Sequence, residues 1–212
     1  MRRRSLLILF VCLTLTALLT IPAITQETEK EEPAVITFEQ PVLITSIGQS
    51  AGAAQAKILA MKAGLDFVYE QRASLDDLEG MKVLIVVMGA SGKGLGAAGV
   101  DIGAEIAWAT ELFDRARELE IVIIAMHIEG RSRRGPMSDQ INTTFAPLAD
   151  YLIIKGSATE EEAANIDEAA NGNLDGLFTT IAEENEIPIA FVAKTLDVVA
   201  VLEGLFPAAE EG

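Results

Sequence analysis

Six short runs rich in Val, Ile and Leu alternate along this chain with longer amphipathic stretches, and that alternation leaves few folds open. The runs are Val42 to Ile47, Phe67 to Glu70, Val83 to Met88, Ile121 to His127, Tyr151 to Lys155 and Ile187 to Ala193. Most are apolar at every position rather than at alternate ones, as strands covered on both faces must be. A further short strand is expected around Val35 to Phe38. The stretches between the runs read as helices. Ser50 can cap one that runs to about Ala63 and stops at Gly64. Ile102, Ile106, Ala109, Phe113, Ala116 and Leu119 share one face of a second. Ser138 or Asp139 opens a third. Thr159, followed by Glu160 to Glu162, starts a fourth, with acids favourably placed at its positive end. Asn171-Gly172-Asn173 breaks that helix, and it resumes through Leu177 and Ile181. Thr195 caps the last, which carries Val198, Val199, Leu202 and Leu205.

Strand, helix, strand, repeated in this way, requires parallel strands joined by right-handed crossovers. The expected architecture is α/β: one three-layer, doubly wound domain over residues 41–207, with a mostly parallel sheet of five to six strands. A flavodoxin-like order, 2-1-3-4-5 with the sixth strand at the far edge, is preferred. A Rossmann-like 3-2-1-4-5-6 order fits the same crossover lengths. No sequence repeat, domain linker or low-complexity tract interrupts the pattern.

The ends are of a different kind. Arg2, Arg3 and Arg4 precede an apolar run from Leu6 to Leu19, Pro22 then breaks it, and Ala23-Ile24-Thr25 offers a small-x-small site. Residues 1–25 read as a secretory signal peptide cut near Thr25, or else as an uncleaved membrane anchor. Either way the remainder is exported, as a secreted, periplasmic or membrane-anchored protein. Residues 26–40 form an acidic linker. The only cysteine, Cys12, lies in the export segment, so the mature chain has neither a disulfide nor a thiol nucleophile.

Beyond residue 25 the chain carries 13 Lys and Arg against 32 Asp and Glu. Such acidity excludes nucleic acid as a partner, and it excludes a membrane surface except through the N-terminal segment. Six of the 13 cations nevertheless fall just after predicted strand ends: Lys93, Arg131, Arg133, Arg134, Lys155 and Lys194. In an open α/β sheet those loops share one edge, where ligands bind. Convergence of these cations around one hollow would suit a small anion, a carboxylate or a phosphate.

Each loop offers candidates. Gly48, Gln49 and Ser50 follow the first strand, and Ser50 opens a helix whose free N–H groups could face an anion. The run from Gly89 to Gly99, with Ser91 and Lys93, reads as an open, glycine-rich connector or an anion nest. It contains Gly94-x-Gly96-x-x-Gly99, but too far past the strand for a dinucleotide fingerprint. Lys93-Gly94 lacks the Ser or Thr that a nucleotide-triphosphate loop needs. Arg131, Arg133 and Arg134 form the densest cationic cluster, and a guanidinium fork suits carboxylate or phosphate. Lys155 and Lys194 stand at the last two strand ends. His127-x-Glu129 has no cysteine partners, so neither a metal nor a cofactor is expected.

The run from Pro41 to Ser50, with Lys62-Ala63-Gly64-Leu65, resembles a family of exported bacterial α/β proteins known only as a domain of unknown function. The resemblance covers roughly Pro41 to Phe206 and implies an extracytoplasmic setting without an activity. Three readings remain open. The first is a binding protein for a small anionic metabolite, serving transport or sensing with a membrane transporter or receptor as partner. The second is a secreted hydrolase or transferase with Ser50 as nucleophile and His127 as base. Gly48-Gln49-Ser50-Ala51-Gly52 matches the letters of a nucleophile elbow, but the histidine comes in the wrong order. The third is an interaction module without a ligand site.

Overall fold

A computed structural model describes residues 36–207, apart from the side chain of Glu160. The export segment, Cys12, Val35 and most of the acidic linker lie outside the described residues. Within them the six apolar runs form six strands: β1 (Val42–Ile47), β2 (Phe67–Tyr69), β3 (Val83–Met88), β4 (Val122–His127), β5 (Tyr151–Lys155) and β6 (Ile189–Val192). All neighbouring strands pair parallel, in the order β2-β1-β3-β4-β5-β6. This is the flavodoxin-like order with the sixth strand at the far edge. Residues 36–38 are not a strand; instead the Phe38 N–H donates to the Leu205 carbonyl at 2.8 Å.

The helices between the strands are α1 (Gly52–Lys62), α2 (Gly92–Ala98), α3 (Ile102–Glu118), α4 (Pro136–Phe145), α5 (Glu160–Ala163) and α6 (Leu177–Glu184), and α7 (Val198–Leu205) follows β6. The strands' continuous hydrophobicity is explained by the two layers they separate. Val42, Ile44, Val83 and Ile85 point into one core with Ala56 and Leu59 of α1 and Leu202 of α7. Leu43, Ile47, Leu84 and Val86 point into the other, with Leu112 and Phe113 of α3, Phe145 of α4 and Phe178 of α6. Fully burying an aliphatic side chain contributes about 1.5–3 kcal/mol, so the central strands anchor the fold. β2 is three residues long with Val68 39% exposed, as an edge strand should be.

Several helix boundaries differ from expectation; α7 starts at Val198 and not after a Thr195 cap, because Thr195 lies in a preceding 3₁₀ turn and gives its hydroxyl to the Ile128 carbonyl at 3.2 Å. Ser50 does not cap α1; Ala51 stands at that position without a side-chain bond. α4 begins at Pro136, two residues before Ser138, because proline suits the first helical turn and Gly135 supplies the preceding turn. The predicted fourth helix is only Glu160–Ala163, and α6 is a separate helix whose Phe178 N–H is accepted by Asn173 Oδ1 at 2.8 Å.

Candidate functional site

The chain turns back on itself between β1 and β3, where the crossovers leave in opposite directions; in doubly wound folds that crevice holds the ligand. Here the chain itself fills it. An isolated bridge joins Gln49 to Ala90, and the Ser91 N–H donates to the Gly48 carbonyl at 2.8 Å. α2 lies directly on this bridge. The run expected to be an open connector is helical, capped by Ser91 Oγ accepting from the Gly94 N–H at 3.1 Å and closed by Gly99 at φ +69°. Glycine is required at 94 for packing and not for a phosphate, since a Cβ there would lie 2.0 Å from the Gln49 carbonyl oxygen.

Gln49 adopts φ +56°, rare for a residue with a side chain. A carboxylate holds it there. Glu105, fully buried on α3, accepts from Gln49 Nε2 at 2.8 Å and from the Gly48 N–H at 2.9 Å through Oε1. Its Oε2 accepts from Arg72 Nε at 3.3 Å, and the Arg72 guanidinium stacks 4.2 Å from the Trp108 ring centroid. The Gln49 amide nitrogen is therefore engaged inward. Glu105 and Arg72 were not among the sequence candidates. The signal was there for Glu105: it occupies an apolar-stripe position between Ile102 and Ala109.

Ser50 is 3% exposed, and its Oγ accepts from the Gly52 N–H at 3.2 Å. Glu129 lies against the first turn of α1, where a Cβ at Gly52 would be 2.8 Å from Glu129 Oε2. Its Oε1 accepts from Arg133 Nε at 3.2 Å, while Oε2 is buried and accepts from no group among the described residues. The positive end of α1, expected to receive an anion, thus faces a carboxylate of the chain itself.

His127 is fully buried. Its Nδ1 lies 3.2 Å from the Met88 carbonyl and its Nε2 3.1 Å from the Gly130 carbonyl, with the Phe178 ring centroid 5.1 Å away. Burial pushes its pKa down to about 4, although both carbonyls favour the charged form. The imidazole is neutral at pH 7 and enclosed by main chain. It forms no hydrogen bond with Ser50 among the described residues, so the serine–histidine pair is not assembled.

The three arginines are each engaged by a carboxylate. Arg131 pairs with Glu168, and Arg133 with Glu129. Arg134, its side chain only 12% exposed, is a clasp. Its Nε donates to Asp139 at 2.6 Å, Nη1 to Asp175 at 2.9 Å and to the Gly172 carbonyl at 2.6 Å, and Nη2 to Asp175 at 2.8 Å. Burial opposes its charge, but the bonds to Asp175 and Asp139 outweigh it and raise the pKa. The bond to Arg134 in turn holds the Asp175 carboxyl below its usual range. A guanidinium with four bonds made has little left for a ligand.

Lys155 and Lys194 are arranged differently. They line one hollow of about 260 Å³ over the ends of β5 and β6, with Asn165, Ile166, Asp167 and Thr195. Neither ammonium group lies within 4.0 Å of a carboxylate among the described residues, although the Lys194 backbone N–H donates to Asp197 Oδ2 at 3.0 Å. Arg131 and Arg134 border a separate hollow with Asp139 and Asp175, and Lys93 is exposed on α2. The expected convergence of six cations is therefore not met. Two causes act: neighbouring strands lie about 4.8 Å apart, which sets Lys93 after β3 three spacings from Lys194 after β6, and the arginines after β4 are held by Glu168, Glu129, Asp139 and Asp175.

The chain belongs to the family described as "Domain of unknown function (DUF6305)", whose model matches residues 39–206. The resemblance to a family of unknown function thus holds. No curated protein matches the chain. Among solved structures it is similar to the psychrotrophic esterase EstA from Pseudoalteromonas sp., crystallised with monoethylphosphonate as inhibitor. That similarity is 11% identity over 77% of this chain and 92% of that chain, with a TM-score of 0.28. At that score the two chain paths share too little for any inference about chemistry.

Proposed function

We propose that this family member is an extracytoplasmic binding protein for a small anionic metabolite of the carboxylate class. The ligand is held by Lys155 and Lys194 at the β5–β6 end of the sheet. One observation carries this reading: in a chain of net charge −16, two ammonium groups that form no salt bridge among the described residues line the same hollow. A hydrogen bond from an ammonium to a carboxylate is charge-assisted, and so stronger than one between neutral groups. Asn165 borders the same hollow; one hydrogen of its amide goes to the Glu161 carbonyl at 3.3 Å, and the other is a neutral donor for the second carboxylate oxygen. Asp167, also on its wall, accepts from the Ala169 N–H at 3.0 Å and disfavours a second negative charge nearby. A monocarboxylate fits this balance better than a phosphate dianion. Export through residues 1–25 is part of the same reading and rests on the sequence of that segment.

Calorimetric titration of the full chain with a panel of organic acids and inorganic phosphate at low ionic strength tests the proposal. Monocarboxylates are expected to bind. Lys155→Met combined with Lys194→Met is expected to weaken them at least tenfold, while Arg131→Met leaves them within twofold. Absence of binding to every acid, or binding indifferent to the double lysine variant, overturns it.

A further inference from the structure

The lysine hollow ends at Thr195, and on the other side of that residue a second hollow begins. It measures about 200 Å³ and is lined by Gln55, Ile58, Leu59, Lys62, Thr195 and Leu196. Its character is the reverse of the first. Ile58 is 50% exposed and Leu196 60%, so two large apolar side chains stand at the surface beside one another. Neither is needed by the cores that fix the fold. Thr195, the divider, directs its hydroxyl inward to the Ile128 carbonyl at 3.2 Å. The charged side chains along the two hollows are Lys62, Lys155 and Lys194 against Asp167, opposite in balance to the molecule as a whole.

Cationic at one end and apolar at the other, this surface matches an amphiphile with an anionic head. Resting on the carboxylate reading above, we propose that the ligand is a straight-chain fatty acid of medium length. Its carboxylate sits between Lys155 and Lys194, and its tail crosses Thr195 to lie against Ile58 and Leu196. A free monomer fits better than a lipid surface, because a body of net charge −16 is repelled by anionic headgroups. Tail burial adds affinity methylene by methylene, whereas head contacts alone are indifferent to chain length.

The full chain is titrated by calorimetry with butanoate, hexanoate, octanoate and decanoate as monomers, and by flotation with phosphatidylglycerol vesicles. Affinity is expected to rise about two- to fourfold per methylene from butanoate to octanoate. Leu196→Asn and Ile58→Asn, both at exposed positions and neutral, are expected to weaken octanoate at least tenfold and leave butanoate within twofold. Lys155→Met with Lys194→Met is expected to weaken every length. Butanoate binding with no gain on lengthening overturns the inference and leaves the carboxylate reading standing. Binding of no acid at any length overturns both. A chain-length gain untouched by Leu196→Asn and Ile58→Asn puts the tail elsewhere, as through the apolar N-terminal run, and overturns the inference. So does capture by vesicles without binding of monomers.

Discussion

Arg131 and Arg134 are three residues apart and chemically identical, yet they have different roles. The Arg131 side chain is 51% exposed against a 67% exposed Glu168, whereas Arg134 is nearly enclosed and makes four bonds. Exposed pairs contribute little, while removing one member of a buried pair leaves the other charge stranded. Asp139 and Asp175 keep contact with water, at 32% and 62% exposure, so Arg134→Met is expected to cost about 1–2 kcal/mol in urea denaturation and Arg131→Met less than about 0.5 kcal/mol. Equal costs would mean that Arg134 is no clasp. The arginine cluster was legible in the sequence, but its partners were not. Asp175 lies 41 residues away from Arg134, and no local spacing announces it. His127 carries the pH dependence. Its pKa of about 4 lies below the ordinary value of 6.5, so between these the unfolded chain binds the extra proton. Its contribution is fully present above pH 6.5 and is lost as pH falls toward 4, about 3 kcal/mol in all. Arg134 lowers this pKa and Asp139 raises it. His127→Gln is expected to lose less stability than the parent chain between pH 7 and pH 4.5. Parallel pH profiles of the two proteins would refute the assignment.

At the scale of the element, α2 teaches the most. Its glycines lower helix propensity, by about 1 kcal/mol each relative to Ala, and so the segment read as an open loop. Two features restore the helix: the Ser91 cap at its start and close packing of its backbone on the Gln49 carbonyl. The cap could have been read from Ser91 alone; the packing required β1 and β3 to be adjacent. A paired substitution separates the two influences. At Gly96 a Cβ would meet nothing within 4 Å, whereas at Gly94 it would lie 2.0 Å from backbone. Gly96→Ala is expected to stabilise by about 0.5–1 kcal/mol. Gly94→Ala gains the same propensity but must displace α2 or the β1 loop, and is expected to destabilise. Thermal denaturation of both variants checks this, and a rise in Tm for Gly94→Ala would show that α2 is free to move away from Gln49. The strands, by contrast, were legible almost to the residue, because burial on both faces leaves continuous apolar runs. β4 begins at Val122, one residue inside its apolar run, and β6, at Ile189–Val192, lies two residues inside its run at the start and one at the end.

For the whole molecule, the strand order and the charge raise separate questions. Crossover lengths do not distinguish a 2-1-3 from a 3-2-1 arrangement. The observed order puts the short, half-exposed β2 at an edge, where its few apolar residues suffice. Which loops share an edge was therefore readable, but which cations share a hollow was not, since that depends on lateral order and on carboxylates from distant segments. Those carboxylates bear on stability as well. There are 32 acidic residues against 16 basic ones, and the ion pairs formed are mostly exposed. Each such pair contributes little, so the excess negative charge acts mainly as self-repulsion in the compact state. At about 10 mM salt the Debye length is about 30 Å and the acids repel one another across the fold; at 0.15 M it is about 8 Å and only near neighbours interact. Raising NaCl between these concentrations is expected to stabilise the protein by about 1 kcal/mol, or about 2–4 °C in Tm for a chain of this size. Potassium chloride should act equally, because the effect is screening and not binding of a particular ion. A Tm that falls with salt would mean that the ion pairs, Arg134 with Asp139 and Asp175 above all, outweigh the repulsion.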